Sequence, residues 1–341
     1  MSTPTEAQVA ERTAGAVELS YREAINAALV DELTSDPTTV LLGEDVATAG
    51  GVFKTNEGLA DTFGTDRIRN TPICENGFMG VALGMAVTGL RPILEIMFSD
   101  FLPTAADAIV NELPKFRFMS GGQCEVPVTV RAIGGGTGRF GTQHSATGES
   151  WYMGLPGLKV ATAGTPGSAY SVLRAAIRSN DPVLFFEHKG LYGRKGPVVR
   201  GDDGISALGD AAVLREGSDV TIVATLLMLD RALVAAEQLA SEGIDAEVVE
   251  LRWLRPFDVD SVQASLEKTK RLLIAEEQVH VAGWGASLIS DLTRRGWRWD
   301  NPPHVVSLPD HLLIPYSPSL EDALIPSAER IAAEARAAVG K

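Results

Sequence analysis

Short apolar runs alternate with amphipathic stretches along this chain of 341 residues. Apolar positions at helical spacing predict a helix over residues 19–31, with Ser20 as its N-cap. Val40-Leu41-Leu42-Gly43 predicts a short buried strand. Residues 77–88 are rich in small side chains and predict a tightly packed helix. A strand is expected over 91–98, a helix over 105–118, a strand over 126–132, a helix over 168–179 and a strand over 182–187. The stretch 190–204 (GLYGRKGPVVRGDDG) breaks this rhythm with Gly, Lys, Arg and Asp, as a linker would. Beyond it, strands at 220–224, 246–251, 271–275 and 305–306 alternate with helices at 229–241, 258–267, up to 292, and 318–339. Strand–helix alternation of this kind predicts an α/β fold with buried parallel sheets. We expect two domains, over residues 16–195 and 205–341, joined by a linker at 196–204. Residues 1–15 are polar and small, as in a disordered tail.

Length agrees with two domains of ordinary size. Hydrophobic residues make up 45% and charged residues 22%, enough apolar material for two cores. The formal net charge of −14 argues against a binder of nucleic-acid phosphates, which needs an excess of Lys and Arg. Two cysteines, Cys74 and Cys124, make neither a disulfide framework nor a four-ligand zinc site. No apolar run reaches the roughly 18 residues of a membrane-crossing helix. A cytoplasmic protein off the membrane is the expectation.

Candidate chemistry is sparse and sits in loops. Gly134-Gly135-Gly136-Thr137-Gly138 follows a predicted strand, but no Gly-Lys-Ser/Thr completes a P-loop and no GxGxxG opens the first helix. This is a tight turn, or a place where backbone approaches a ligand. Glu75 stands between Pro72 and Gly77 at the mouth of a predicted helix. It reads either as a first-turn acid favoured by the helix dipole or as a carboxylate that holds a proton for a ligand. His144 follows the Gly-rich loop, and strand-end loops are where α/β sites assemble. His188, His280, His304 and His311 read as structural or solvated. The acid runs Glu44-Asp45 and Asp202-Asp203 read as solvated or turn residues. HExxH and GxSxG are absent, which disfavours a zinc peptidase and an α/β-hydrolase.

The order of several segments resembles the beta subunits of 2-oxo acid dehydrogenase first components, of the pyruvate, branched-chain and acetoin types. The segments are LLGEDV (41–46), RIRNTPICENGFMGVALGMAVTGLRPILEIMFSDF (67–101), GTQHS (141–145), LPGLKV (155–160), DPVLFFEHKGLYGRKG (181–196), REGSDVTIVA (215–224), LRWLRPFD (251–258) and PYSPSLEDALIP (315–326). The resemblance implies a thiamine-diphosphate pyrimidine-binding domain followed by a transketolase C-terminal-like domain. By the same resemblance, Glu75 bonds the aminopyrimidine nitrogen and Phe101 lies against that ring, with Ile73 beside it. His144 serves the substrate and the lipoyl arm. Val128, Ala176, Ile177 and Asp181 match a structural potassium site, although Ser179 stands where many relatives have Asp.

The implied reaction is oxidative decarboxylation of a 2-oxo acid with acyl transfer to lipoamide, the cofactor acting as electron sink. Relatives hold the diphosphate through magnesium with a Gly-Asp-Gly motif, and none occurs here. The clamp is therefore expected on an alpha subunit, in an α2β2 heterotetramer that also meets a lipoyl-bearing acyltransferase. The alternative is a stand-alone thiamine-dependent carboligase forming acyloins. Departures from the family cluster at 277–282, Ser287 and 310–315. If half a site is correct, the isolated chain binds thiamine diphosphate weakly in calorimetry and tightly only with its alpha partner. Tight binding by the chain alone would contradict it.

Overall fold

The computed structural model describes residues 15–341, so all but the last residue of the expected tail lies outside it. Two parallel sheets, each with one antiparallel edge strand, build the molecule. The first contains β2 (Thr39–Gly43), β3 (Ile68–Asn70), β4 (Arg91–Ile96), β5 (Thr129–Gly134), β6 (Lys159–Thr162), β7 (Val183–His188) and β12 (Trp253–Arg255). Their order is β12-β6-β7-β5-β4-β2-β3. The second contains β9 (Ala211–Arg215), β10 (Val220–Ala224), β11 (Ala246–Leu251), β13 (Leu272–Val279) and β14 (His304–Leu308), in the order β14-β13-β10-β11-β9. The central strands β2, β5, β7, β10 and β11 are buried along their whole length. Both faces are therefore covered, which is why these strands read as continuous apolar runs.

Local signals placed the helices well. The first helix, α1 (Tyr21–Ser35), begins at the expected cap: Ser20 and Glu23 form a capping box. Helix α3 (Glu75–Val87) starts two residues earlier than expected, so Glu75 is its first residue. Helix α6 (Pro166–Ile177) packs on α1 over the first sheet. Two expected helices are interrupted. Residues 105–118 divide into a 3-10 turn (Ser99–Ala105), a π segment (Ala108–Glu112) and α4 (Leu113–Met119). The C-terminal helix divides into α10 (Pro318–Leu324) and α11 (Ala328–Ala338), since Pro326 cannot continue the ladder. The expected linker is partly ordered: β8 (Lys195–Val198) folds back to pair antiparallel with β1 (Val17–Ser20).

The two halves are not separate bodies. Strand β12 leaves the second half of the chain and pairs with β6, closing an exposed edge of the first sheet. One apolar cluster runs through both halves, from Tyr21 and Ala163 to Leu229 and Ile331. Buried polar groups pin it. Glu250 accepts from Gly164 N–H at 2.8 Å and from the Ser168 hydroxyl at 2.7 Å. Thr162 N–H donates to the Arg252 carbonyl at 2.8 Å.

Inside the first sheet lies a fully buried arginine, Arg131 on β5. It donates to Glu187 at 2.6 and 3.0 Å, to Glu95 at 2.8 Å and to Asn56 at 3.0 Å. Burial opposes its charge, but Glu187 and Glu95 outweigh burial and hold it protonated. Removing one member of such a set strands the opposite charges in the interior. We expect Arg131→Met to lose about 3–5 kcal/mol in denaturant unfolding, and the Glu187→Gln change to couple to it in a double-mutant cycle.

A second acid cluster spans the junction of the halves. Glu149 opens α5 (Glu149–Met153), is buried and accepts a hydrogen bond from the Gln278 amide. Glu276, also buried, accepts from Gly285 N–H at 3.0 Å, inside the first turn of α9 (Trp284–Arg294), while its other oxygen has no partner. Burial pushes both carboxyls up to about 7. Their folded affinity for a proton exceeds the unfolded one. Stability from this source is present below the ordinary carboxylate pKa and is lost as pH rises towards 7. We expect Glu276→Gln to stabilise the protein by on the order of 2 kcal/mol at pH 8 and to have no effect at pH 4, read by denaturant titration at both pH values.

Candidate active site

The site lies at the carboxyl ends of β2, β4, β5 and β7, where strand-end loops converge. Glu75 is half-buried at the start of α3, and no described residue bonds its carboxylate. Glu44, which follows β2, is buried rather than solvated, and its Oε1 has no partner. Burial first, and the charge of Glu75 second, raise the Glu44 carboxyl above its ordinary range. The sequence reading took Glu44 for a solvated turn acid; it is buried at the end of β2, which is flanked on both sides by β4 and β3.

Helix α3 packs against the 3-10 turn that carries Phe101. Phe101 and His144 meet edge to face at 5.5 Å, and Phe98 meets His144 at 4.6 Å. The structure therefore brings together Phe101 and His144 and sets Glu75 on the adjoining helix. Ile73 is 84% exposed, so it presents its side chain to whatever lies outside this chain. A carboxylate open to a ring nitrogen, a second acid whose charge is disfavoured by burial, and an aromatic wall fit an aminopyrimidine ring.

His144 ends a loop that the Gly-rich run begins. Gly135 adopts φ +86, and a Cβ there would lie 1.9 Å from His188 Nε2. Gly141 adopts φ +75 against the ring of Tyr316, where a Cβ would come within 2.2 Å. The glycines thus serve close packing against the protein itself. Gly136 N–H donates to Glu277 Oε1 at 2.6 Å, and His188 Nε2 lies 3.0 Å from Glu277 Oε2. His188 Nδ1 accepts from Gly190 N–H at 3.0 Å, which assigns the ring proton to Nε2 and makes it the donor to Glu277. Burial alone would raise Glu277; His188, the Gly136 N–H and nearby Arg231 outweigh it and hold this carboxyl lower. Thr147 donates to the Glu277 carbonyl, Thr142 to the Ile314 carbonyl at 3.0 Å, and Arg139 pairs with Glu321 and Asp322. The second half of the chain therefore shapes the His144 loop.

Of the other histidines, His188 is a buried structural partner, His304 pairs with Glu334 at 2.6 Å, and His280 and His311 are exposed. His188 is structural, as one of its two sequence readings had it, while Lys189 and its role, and the Glu277 partner of His188, escaped the sequence reading. The strand-end rule that singled out His144 applies equally to His188-Lys189 after β7.

The residues expected at the potassium site bond one another and neighbouring groups of the chain. Asp181 is held by Arg117 at 2.6 Å and Lys159 at 2.7 Å, which keep its carboxyl below its ordinary range despite partial burial. The Ile177 carbonyl accepts from Arg91 at 2.8 Å, the Ala176 carbonyl from Ser179 N–H and the Val128 carbonyl from Val183 N–H. Two protein cations, Arg117 and Lys159, thus occupy the carboxylate that the expected site would use. No group of three or more His, Cys, Asp or Glu among the described residues could hold a metal.

Comparison with known proteins agrees with this geometry. The transketolase pyrimidine-binding domain matches residues 17–195, and the transketolase C-terminal domain matches 209–331. The beta subunit of acetoin:2,6-dichlorophenolindophenol oxidoreductase of Cupriavidus necator is 42% identical, over 93% of this chain and 96% of that one. Pyruvate dehydrogenase E1 component subunit beta-1 of Oryza sativa is 40% identical, over 98% and 91%. A solved split-gene transketolase, described as an inactive beta4 tetramer, is 26% identical with TM-score 0.77, over 94% and 98%. The chain belongs to the family of two-domain beta subunits in which a transketolase pyrimidine-binding domain precedes a transketolase C-terminal domain.

Proposed function

We propose that this chain is the beta subunit of a thiamine-diphosphate-dependent 2-oxo acid dehydrogenase first component, completed by an alpha subunit. The observation that carries the reading is the Glu44–Glu75 pair beside the Phe98, Phe101 and His144 rings. Support comes from relatives named as beta subunits of pyruvate dehydrogenase E1 and of an acetoin oxidoreductase. Bound thiamine diphosphate would supply the electron sink for loss of carbon dioxide.

This chain's residues do the remaining work. Glu75 holds and orients the aminopyrimidine through its ring nitrogen, and Phe101 fixes the ring plane. Glu44, whose carboxyl is shifted upward by burial and by the charge of Glu75, limits how much negative charge the pair carries. His144, edged by two phenyl rings, moves a proton at the substrate or orients it, within the usual gain of about 10²–10⁴-fold for such groups. The diphosphate, its magnesium and much of the substrate pocket belong to the alpha subunit, in an α2β2 assembly that passes the acyl group to a lipoyl-bearing acyltransferase.

The test is reconstitution. Purified with its alpha partner and assayed with an artificial electron acceptor, the complex should oxidise a member of a panel holding pyruvate, branched-chain 2-oxo acids and acetoin. Glu75→Ala should cut turnover by at least about 10²-fold. Unchanged turnover in that variant would remove Glu75 from the mechanism.

A further inference from the structure

Lys189 is a buried ammonium that no carboxylate among the described residues contacts. It follows β7, is 9% exposed, and donates to two main-chain carbonyls: that of Gly135, and that of His144 at 2.6 Å. The charges of Glu277, Asp100 and Glu321 reach it only through space. Its Nζ also lies 5.4 Å from the Phe140 ring centre and 5.9 Å from that of Phe98. Phe98 is the ring that meets the His144 imidazole at 4.6 Å.

The two carbonyls are nine residues apart in sequence order, and they bracket the loop. Gly135 opens it and His144 closes it, so one ammonium draws its two ends together. The far side of Ser145 is held separately: Ala146 N–H donates to Asp100 at 3.1 Å, and the Ser99 hydroxyl donates to the Ala146 carbonyl at 2.6 Å. With the chain fixed on both sides, the remaining freedom of His144 is rotation of its ring, and Phe98 and Phe101 bound that.

We propose that Lys189 is a positioning residue for His144: by fastening the Gly135 and His144 carbonyls and bracing Phe98 and Phe140, it sets the direction of the imidazole. Burial makes the charge expensive and brings this ammonium down to about 8. Core packing alone would be served as well by methionine, which often matches or improves stability in place of a buried charge. A positioning role predicts the opposite pattern, with stability kept and His144 displaced. The inference rests on His144 being a catalytic group, but its first readout does not.

The experiment compares the wild type, K189M and K189R, each co-purified with the alpha partner and labelled at histidine Cε1. Five histidines make the carbon–proton spectrum simple, and H144Q assigns the His144 signal. In the wild type that signal is displaced by the Phe98 and Phe101 rings. In K189M it moves towards the signals of exposed His280 and His311, while His304 stays in place. Turnover falls about 10²-fold with thiamine diphosphate affinity and melting temperature unchanged or raised. K189R keeps the wild-type signal and most of the turnover. A His144 signal unmoved in K189M overturns the proposal. Should K189M fail to assemble, K189Q is read by the same signal. If the complex shows no dehydrogenase activity while the signal moves, the proposed reaction fails and the positioning role stands.

Discussion

One buried carboxylate, Glu277, holds together the parts that matter for chemistry. It lies near the end of β13 in the second half of the chain and reaches into the first. There it meets the Gly136 N–H and the His188 ring, one at the root of the His144 loop and the other at the end of β7. An ionised carboxylate in the interior is costly unless its lone pairs are filled. Here the donors come from the other sheet, so the charge is satisfied only when the two sheets are docked. The pair of domains and the shape of the loop are thus one requirement.

The same logic repeats at other depths. Arg131 is satisfied only if β4, β5 and β7 stand in register, because its partners Glu95 and Glu187 come from the flanking strands. Lys189 is satisfied only if the loop between Gly135 and His144 closes on itself. Each buried charge penalises every arrangement but one. Apolar packing supplies the bulk of the stability, while these groups select among compact states.

The first and second halves divide the work unequally. The first contributes Glu44, Glu75, Phe101 and His144. The second contributes no described side chain to that aromatic and acid wall, yet it sets the loop through Glu277, Ile314, Tyr316, Glu321 and Asp322. The departures from the family noted at 277–282 and 310–315 fall beside these contacts.

Periodicity in the sequence determined the α/β class, most central strands within two or three residues, and the Ser20 cap. Those features depend on neighbours a few positions away, and the chain carries that information locally. Ordered motifs singled out Glu75, Phe101 and His144. Tertiary structure alone decided what lay beyond local reach. The short strands β6, β9 and β12 have too few residues to show a period. Glu44 read as a turn acid until β2 was seen flanked by β4 and β3, and the sequence showed no partners for His188, Lys189 or Glu277. Their meaning comes from partners up to 141 residues away, which only the strand order brings within hydrogen-bonding distance.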